Sequence, residues 1–405
     1  MLIFLKIAWR NLLRNKWRSA ITISAVAIGF TSLIFIRAFV DGADSQMVEN
    51  YTDLLSGHIQ IHKQGFQKNM GLQRNIPSVE KIVAILKNNR EVTAFSARIK
   101  EFVLISSTEH SSGVLLLGVD PEGEPRVSHL HKRIHEGKFL GSDKDIVIGK
   151  SLADTLNVKL HDKVVIMAQA FDGSLASEAY RISGFLDTGA EEIDQGIVLI
   201  TLKAAQELFV LDNRVSEVVI RTTSVKDVGP VTAELKKALN DTTLEVLNWK
   251  EISPMLQQWV EFDIAFINLI LLIVLLVVAA GILNTLLMGI LERTREFGIM
   301  LALGTKRRQI ILMVALESLI LGLTGIAAGY AVGSGLAAYF GVKGINLASF
   351  SNALNNYYTG SVIYTRLSLG YMLRYGLVVL IISMLVSIYP AWRAANLKPV
   401  DAIRS

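Results

Sequence analysis

Four apolar stretches set the limits on how this chain can fold: approximately residues 20–40, 264–291, 310–340 and 370–389. A helix needs about 20 apolar residues to cross the hydrocarbon layer, and each stretch is long enough. In lipid the backbone must satisfy its own hydrogen bonds, so runs of this length are expected as helices. Around them is a chain of 405 residues, 51% hydrophobic and 19% charged, with mean hydropathy +0.42. It is too apolar for an ordinary soluble domain and too charged to lie wholly in lipid. The composition therefore predicts membrane spans plus a sizeable aqueous domain. Cysteine is absent, which removes disulfides, thiolate metal sites and a cysteine nucleophile. The first run is long, lacks a small-residue cleavage site and follows a helix-like basic leader, so a removable signal peptide is not expected.

Charge sets the orientation. The leader carries Lys6, Arg10, Arg14, Lys16 and Arg18 with no acid, the segment between the second and third runs carries Arg293, Arg295, Lys306, Arg307 and Arg308 against Glu292 and Glu296, and the tail carries Arg393, Lys398 and Arg404 against Asp401. These thirteen bases and three acids give a net +10 in a chain whose whole charge is +5, so the remainder carries −5. The positive-inside rule puts all three basic segments in the cytoplasm, which requires an even number of spans with both termini inside. The basic balance thus reports topology and contact with anionic lipid, and nucleic acid is not expected as a partner.

The resulting fold class is four transmembrane helices plus a large extracytoplasmic α+β domain inserted between the first and second spans. In order, the expected parts are an interfacial amphipathic helix (1–18), the first span (19–40), the external domain with stalk helices (41–261) and the second span (262–291). A cytoplasmic helix (292–309), the third span (310–340), an external loop (341–369), the fourth span (370–390) and a tail (391–405) follow. In the leader, Lys6, Arg10 and Arg14 form one row, with Leu5, Ala8, Trp9, Leu12, Leu13 and Trp17 beside it. An elbow in the headgroup layer fits this better than plain continuation of the span. Met47, Val48, Tyr51, Leu54 and Leu55, and then Ile252, Met255, Leu256, Trp259 and Val260, carry helical stripes on either side of the external domain, as a stalk would. Within the domain, strands are expected at 58–62, 102–106, 114–119, 145–148, 164–168, 179–185, 196–201, 215–221 and 243–246, and helices at 79–87, 150–156, 202–211 and 225–239. Two lobes are expected, divided near 118–141 and 187–196. The external loop is polar and aromatic, with Asn355, Asn356, Tyr357 and Tyr358.

The segment 292–308, ERTREFGIMLALGTKRR, places Phe297, Met300, Leu301 and Gly304 on one helical face. Glu292 and Arg295 can pair at i, i+3 on another. A solvated loop explains the charges but neither the apolar face nor the Gly304-Thr305 break, so a docking helix is expected. In the third run Gly322, Gly325, Gly329 and Gly333 include three glycines spaced by four, which lets a second helix approach closely. Glu317 lies about two turns into that run, where an ionisable group is costly, and is expected to pair with a nearby base. Arg37 is expected to snorkel to headgroups.

Other motifs carry less. Gly149-Lys150-Ser151 imitates the end of a P-loop, but Lys144 stands where the earlier glycine is required. Asp187-Thr188-Gly189 occurs once, whereas an aspartic protease needs two such carboxylates. His58 with His62, and His129 with His131 and His135, do not close into a set of three or four metal ligands, so no metal site is expected. No catalytic constellation is found.

The run ERTREFGIMLALGTKRRQI followed by LESLILGLTGIAAGYAVG, the ending YPAWRAANLKPVDAIRS and the opening LKIAWRNLLRNKWRSAITISAVAIGF resemble the permease half of ABC transporters of the MacB/FtsX superfamily. LLSGHIQIHKQGF and GFLDTGAEEIDQGIVLITLKAAQELF are most similar to its lipoprotein-releasing LolC/LolE-type branch. The resemblance implies a type VII mechanism, in which a permease dimer (two copies, or two related chains) binds a cytoplasmic dimer of separate ATPase chains. ATP and Mg would be bound by that partner and no cofactor by this chain, which would not be an enzyme by itself. Glu292, Arg293, Thr294, Arg295, Glu296, Phe297, Gly298, Met300, Leu301, Gly304, Arg307 and Arg308 would couple to the ATPase, and the glycine row would pack helices. The implied function is mechanotransmission in the inner membrane, with the large domain periplasmic, releasing lipoproteins. Their acyl chains would enter beside Phe35, Phe39, Phe262 and Phe266, residues that otherwise read as ordinary lipid-facing aromatics. The alternatives are MacB-like efflux of a drug, peptide or other amphiphile, and an FtsX-like scaffold that activates a cell-wall hydrolase.

Overall fold

The computed structural model describes residues 7–8, 10–12, 14, 16–225, 228–347 and 362–398. Leu5, Lys6, Trp9 and Leu13 of the leader, Asn355, Asn356, Tyr357 and Tyr358 of the external loop, and Asp401 and Arg404 of the tail lie outside the described residues. The chain forms two compact units. One comprises Met1–Asp44, Val260–Asn346 and Val362–Ser405, and the other Ser45–Trp259 with Leu347–Ser361.

The first unit is helical. Its long helices are α1 (Lys16–Tyr51), α2 (Pro254–Glu292), α4 (Arg307–Lys343) and α5 (Leu369–Ala395), with the short α3 (Thr294–Ala302) between α2 and α4. All four long helices are apolar and long enough to cross a membrane. Their apolar side chains are not all used in packing: Leu269, Leu272, Ile273, Leu276 and Val277 of α2 are each more than half exposed. A helix apolar all round whose outer face stays uncovered suits lipid better than a soluble core. The inward faces share one cluster that includes Phe30, Leu33, Val278, Ile282, Leu321 and Val379.

The glycine row of α4 sets the closest approach. A Cβ on Gly325 would lie 2.6 Å from Val26, one on Gly329 2.9 Å from Phe30 and one on Gly333 3.1 Å from Ile34. Val26, Phe30 and Ile34 are themselves spaced by four on α1, so ridge meets groove residue by residue. Gly322 faces Ser383 of α5 instead. Ser318 adds a hydrogen bond, donating to the Ser383 carbonyl at 2.7 Å.

Arg37 departs from the expected snorkel. It is 6% exposed, pairs with Asp41 at 2.5 Å and stacks 4.0 Å from the Tyr371 ring. A carboxylate one turn away pairs with the guanidinium and an aromatic face covers it, so the charge is compensated inside the unit without reaching headgroups. Phe35 is half-buried, edge-on to Phe340 at 5.7 Å, and Phe39 is half-buried, whereas Phe262 and Phe266 are exposed.

The second unit is built on ten strands: β1 (Ile59–Lys63), β2 (Val92–Ser106), β3 (Ser111–Val119), β4 (Ile134–Gly137), β5 (Asp145–Gly149), β6 (Lys163–Gln169), β7 (Leu175–Leu186), β8 (Ile197–Thr201), β9 (Glu217–Thr222) and β10 (Leu244–Asn248). They form one mixed sheet in the order β10-β1-β9-β2-β3-β8-β5-β7-β4, with β6 paired to β2 and β7. The two expected lobes are therefore joined. β3 runs through the start of the first supposed boundary and pairs with β8, and a helix (Glu191–Gly196) occupies the second. Helices at Glu80–Asn88, Lys150–Leu156, Leu202–Leu208 and Val228–Leu239 match the expected ones within a few residues. Of the stripes flanking the domain, Met47, Val48, Leu54, Ile252 and Leu256 are buried, but Met255 is 66% exposed.

A charged row crosses four strands of this sheet: Arg98 opposes Glu217, Glu217 opposes His62, and His62 opposes Glu245. Arg98 is buried and bonded to both oxygens of buried Glu124, and it donates to the Leu55 carbonyl at 2.5 Å. Burial alone would raise the Glu217 carboxyl, but Lys100, His62 and Arg98 outweigh it and hold the group at about 2. Gly149 sits against the backbone of Asp194, where a Cβ would collide with the carbonyl oxygen, so this glycine serves packing in the external unit. Asp194 in turn accepts from the Thr188 N–H at 3.0 Å and hydroxyl at 2.8 Å, which makes Asp187-Thr188-Gly189 a bonded turn.

Candidate coupling site

The joint between α2 and α4 is where sequence and geometry converge. α2 ends at Glu292, and Arg293 leaves the helical region at φ −115°, ψ 17° before α3 begins at Thr294. Thr294 turns its hydroxyl back to the Ile290 and Leu291 carbonyls at 3.1 and 2.9 Å, satisfying the end of α2. At the other end Gly304 has φ +92°, which a side chain would resist. Thr305 N–H donates to the Met300 carbonyl at 3.0 Å and Gly304 N–H to Leu301 at 3.1 Å, the paired bonds of a Schellman stop. Both ends of this nine-residue helix are thus fixed by its own sequence.

Its two faces differ. Phe297 is 1% exposed and Arg293 7%, and Met300 and Leu301 pack against the same apolar cluster as Ile290, Ile310, Met313 and Ala391. The face expected to meet a partner is therefore turned inward and fastens α3 to the bundle. Arg295, Ile299, Ala302 and Leu303, spaced i, i+4, i+7 and i+8, make the opposite face, and all are exposed, Leu303 at 82%. Gly298 is buried, while Gly304, Arg307 and Arg308 are exposed around the turn into α4. Sequence periodicity does not single out Ile299 and Leu303 as the exposed apolar pair, because the helix is apolar on both sides and the pattern alone does not say which side is covered.

Ion pairs tie the joint to the leader and to α4. The Arg293 guanidinium donates through Nε to Glu296 at 2.9 Å and through Nη1 to Glu317 at 3.1 Å. Glu296 also accepts from Arg14 at 2.8 Å, Glu292 from Arg18 at 2.8 Å, and Glu317 from the Asn11 amide at 2.5 Å. Burial opposes ionisation of Glu296, yet the bonds from Arg293 and Arg14 hold its carboxyl below the usual range. Arg14 and Glu296 are about half exposed, so their pair contributes little by itself. Arg293 and Glu317, at 8% and 12% side-chain exposure, are the desolvated pair, and losing one partner leaves the other charge buried and uncompensated. Glu317 accordingly has the base its position requires.

Three of the grouped histidines make internal contacts. His58 is buried, with Nδ1 accepting from the Thr222 N–H at 3.1 Å and 2.8 Å from its hydroxyl. Burial and the Arg221 charge push its pKa down to about 4. His62 meets Gln60 and Glu217, and His129 lies 3.0 Å from Asp53.

Comparison with known proteins fits this plan. Residues 19–238 match the MacB-like periplasmic core domain and residues 268–399 the FtsX-like permease C-terminal domain. The lipoprotein-releasing system transmembrane protein LolC of Neisseria meningitidis is 22% identical over 96% of this chain and 95% of its own length. The macrolide export ATP-binding/permease protein MacB of Wolinella succinogenes is 21% identical over 99% of this chain and 60% of its own. The periplasmic region of MacB from Actinobacillus actinomycetemcomitans aligns over 53% of this chain and 97% of its own, at 13% identity and TM-score 0.36. The chain is a membrane protein with an extracytoplasmic domain, and it belongs to the MacB/FtsX family of ABC transporter permeases.

Proposed function

We propose that this chain is the non-catalytic membrane subunit of an ABC complex that releases lipoproteins from the inner membrane by mechanotransmission. Similarity to LolC over nearly the full length of both chains carries the cargo assignment. In this reading both termini and α3 are cytoplasmic, and the second unit is periplasmic. A separate ATPase dimer, binding ATP and Mg, grips the outward face of α3. Arg295, Ile299, Ala302 and Leu303 suit a groove with an apolar floor, and Lys306, Arg307 and Arg308 give it a basic rim. Closure of the ATPase pushes on the helix ends that α3 joins. A second permease subunit, the same or a related chain, completes the complex, and acyl chains enter beside exposed Phe262 and Phe266, with half-buried Phe35 and Phe39 deeper on α1.

Depletion of the chain followed by fractionation tests the cargo. Outer-membrane lipoproteins should accumulate in the inner membrane. Normal sorting on depletion would reject lipoprotein release. Sensitivity to an exported amphiphile would then favour efflux, a reading supported by the similarity to MacB.

A further inference from the structure

Three pieces of chain meet at one buried carboxylate. Glu317, ten residues into α4, accepts from Asn11 of the leader at 2.5 Å and from Arg293 of the α2–α3 joint at 3.1 Å. Arg293 also holds Glu296 of α3, and Glu296 holds Arg14 of the leader. Asn11, Arg14, Arg293, Glu296 and Glu317 therefore form a connected network across the leader, the joint, α3 and α4.

The network spans two breaks in the helical backbone. At Arg293 the helical hydrogen-bond ladder is interrupted, and at Gly304 the chain turns through a left-handed residue. A short helix between two such breaks would swing when pushed, and the swing would absorb the push. Paired charges with little solvent around them resist separation, because pulling them apart leaves each one buried and unpaired. The 5.3 Å approach of the Arg293 guanidinium to the Phe297 ring ties the same group to the buried face of α3.

We infer that Glu317 is a positioning residue for energy coupling: it locks the α2–α3 joint so that a displacement of α3 moves α4 and the leader with it. The inference rests on the proposed docking of an ATPase to the outward face of α3, which Glu317 does not join. Neutral glutamine keeps the size and a hydrogen bond but removes the charge that holds Arg293. In E317Q the ATPase should still bind and turn over while its stroke is lost at the joint.

The test uses the complex purified with its ATPase in nanodiscs. The chain has no cysteine, so one cysteine at Val342, 86% exposed near the far end of α4, is its sole thiol, and labelling is read on this chain's own band after the subunits are separated. Its maleimide labelling rate is measured with and without ATP and Mg, beside hydrolysis and ATPase retention. The parent should show a several-fold ATP-dependent change in labelling. E317Q should fall below two-fold with hydrolysis within two-fold of the parent, and E317D should recover at least half of the response. E317Q responding like the parent would overturn the inference. Loss of the ATPase from both variants, or their aggregation, would make Glu317 merely structural and overturn it too. A parent that brings no ATPase would instead reject the docking proposal, and this inference with it; a parent that keeps its ATPase but shows no labelling response to ATP would overturn this inference alone.

Discussion

Gly329 lies so close to Phe30 that one added carbon would stand 2.9 Å from the phenylalanine Cβ and 3.0 Å from the Ala27 carbonyl oxygen. Neither the α1 backbone nor a Cβ can swing aside as the tip of a flexible side chain can. The closeness also brings the Thr31 hydroxyl within 3.3 Å of the Gly329 carbonyl. Without a hydrophobic drive between helices in lipid, such contacts and dispersion hold α1 against α4.

Gly329→Val should separate the two helices and lower the melting temperature of the detergent-solubilised protein, at a cost of about 1–3 kcal/mol for overpacking. Gly335→Ala, where nothing lies within 4 Å, should melt like the parent. Thermal unfolding followed by size-exclusion fluorescence reads both. Equal melting of Gly329→Val and the parent would mean that α1 and α4 do not pack in this register.

The inward face of α3 should behave as core. Phe297→Ala removes a fully buried ring and should cost about 3–5 kcal/mol, seen as loss of folded protein or a lowered midpoint. Ile299→Ala, at 43% exposure on the other face, should change stability little. A thermal melt of each variant separates the faces.

His58 predicts an acid-sensitive external domain. Its folded pKa, about 4, lies below the ordinary histidine value of 6.5, so the unfolded chain binds the extra proton first as pH falls. The stabilisation is full above pH 6.5 and is lost between 6.5 and 4, about 3 kcal/mol in all. Hydrogen exchange on the full chain should show protection of β1 and β9 weakening across that window. His58→Gln should flatten the dependence, and an unchanged slope in the variant would assign it to another group.

Much of this architecture is legible in the sequence because lipid admits few solutions. Four apolar runs mark the spans; the spacing of Gly325, Gly329 and Gly333 then marks a helix contact without naming its partner on α1. Other features depend on contacts distant in sequence. Arg37 reads as a headgroup anchor until Tyr371, more than three hundred residues away, covers it. β4, Ile134–Gly137, is short and polar, and the first half of β2 carries Arg98 and Lys100, which discourage a strand assignment until Glu124 and Glu217 appear beside them. In α3 the sequence shows a helix with a glycine stop, but apolar residues on both sides hide which face is covered.

The direct test of the central claim is purification of the full chain from its native membrane, parent beside Leu303→Glu. The parent should bring down a P-loop ATPase with ATP hydrolysis. Leu303→Glu, a change at a residue 82% exposed, should lose at least ten-fold of that ATPase while the chain stays folded. Undiminished recovery of the ATPase with the variant, or none with the parent, would contradict the claim that a cytosolic motor grips this face of α3.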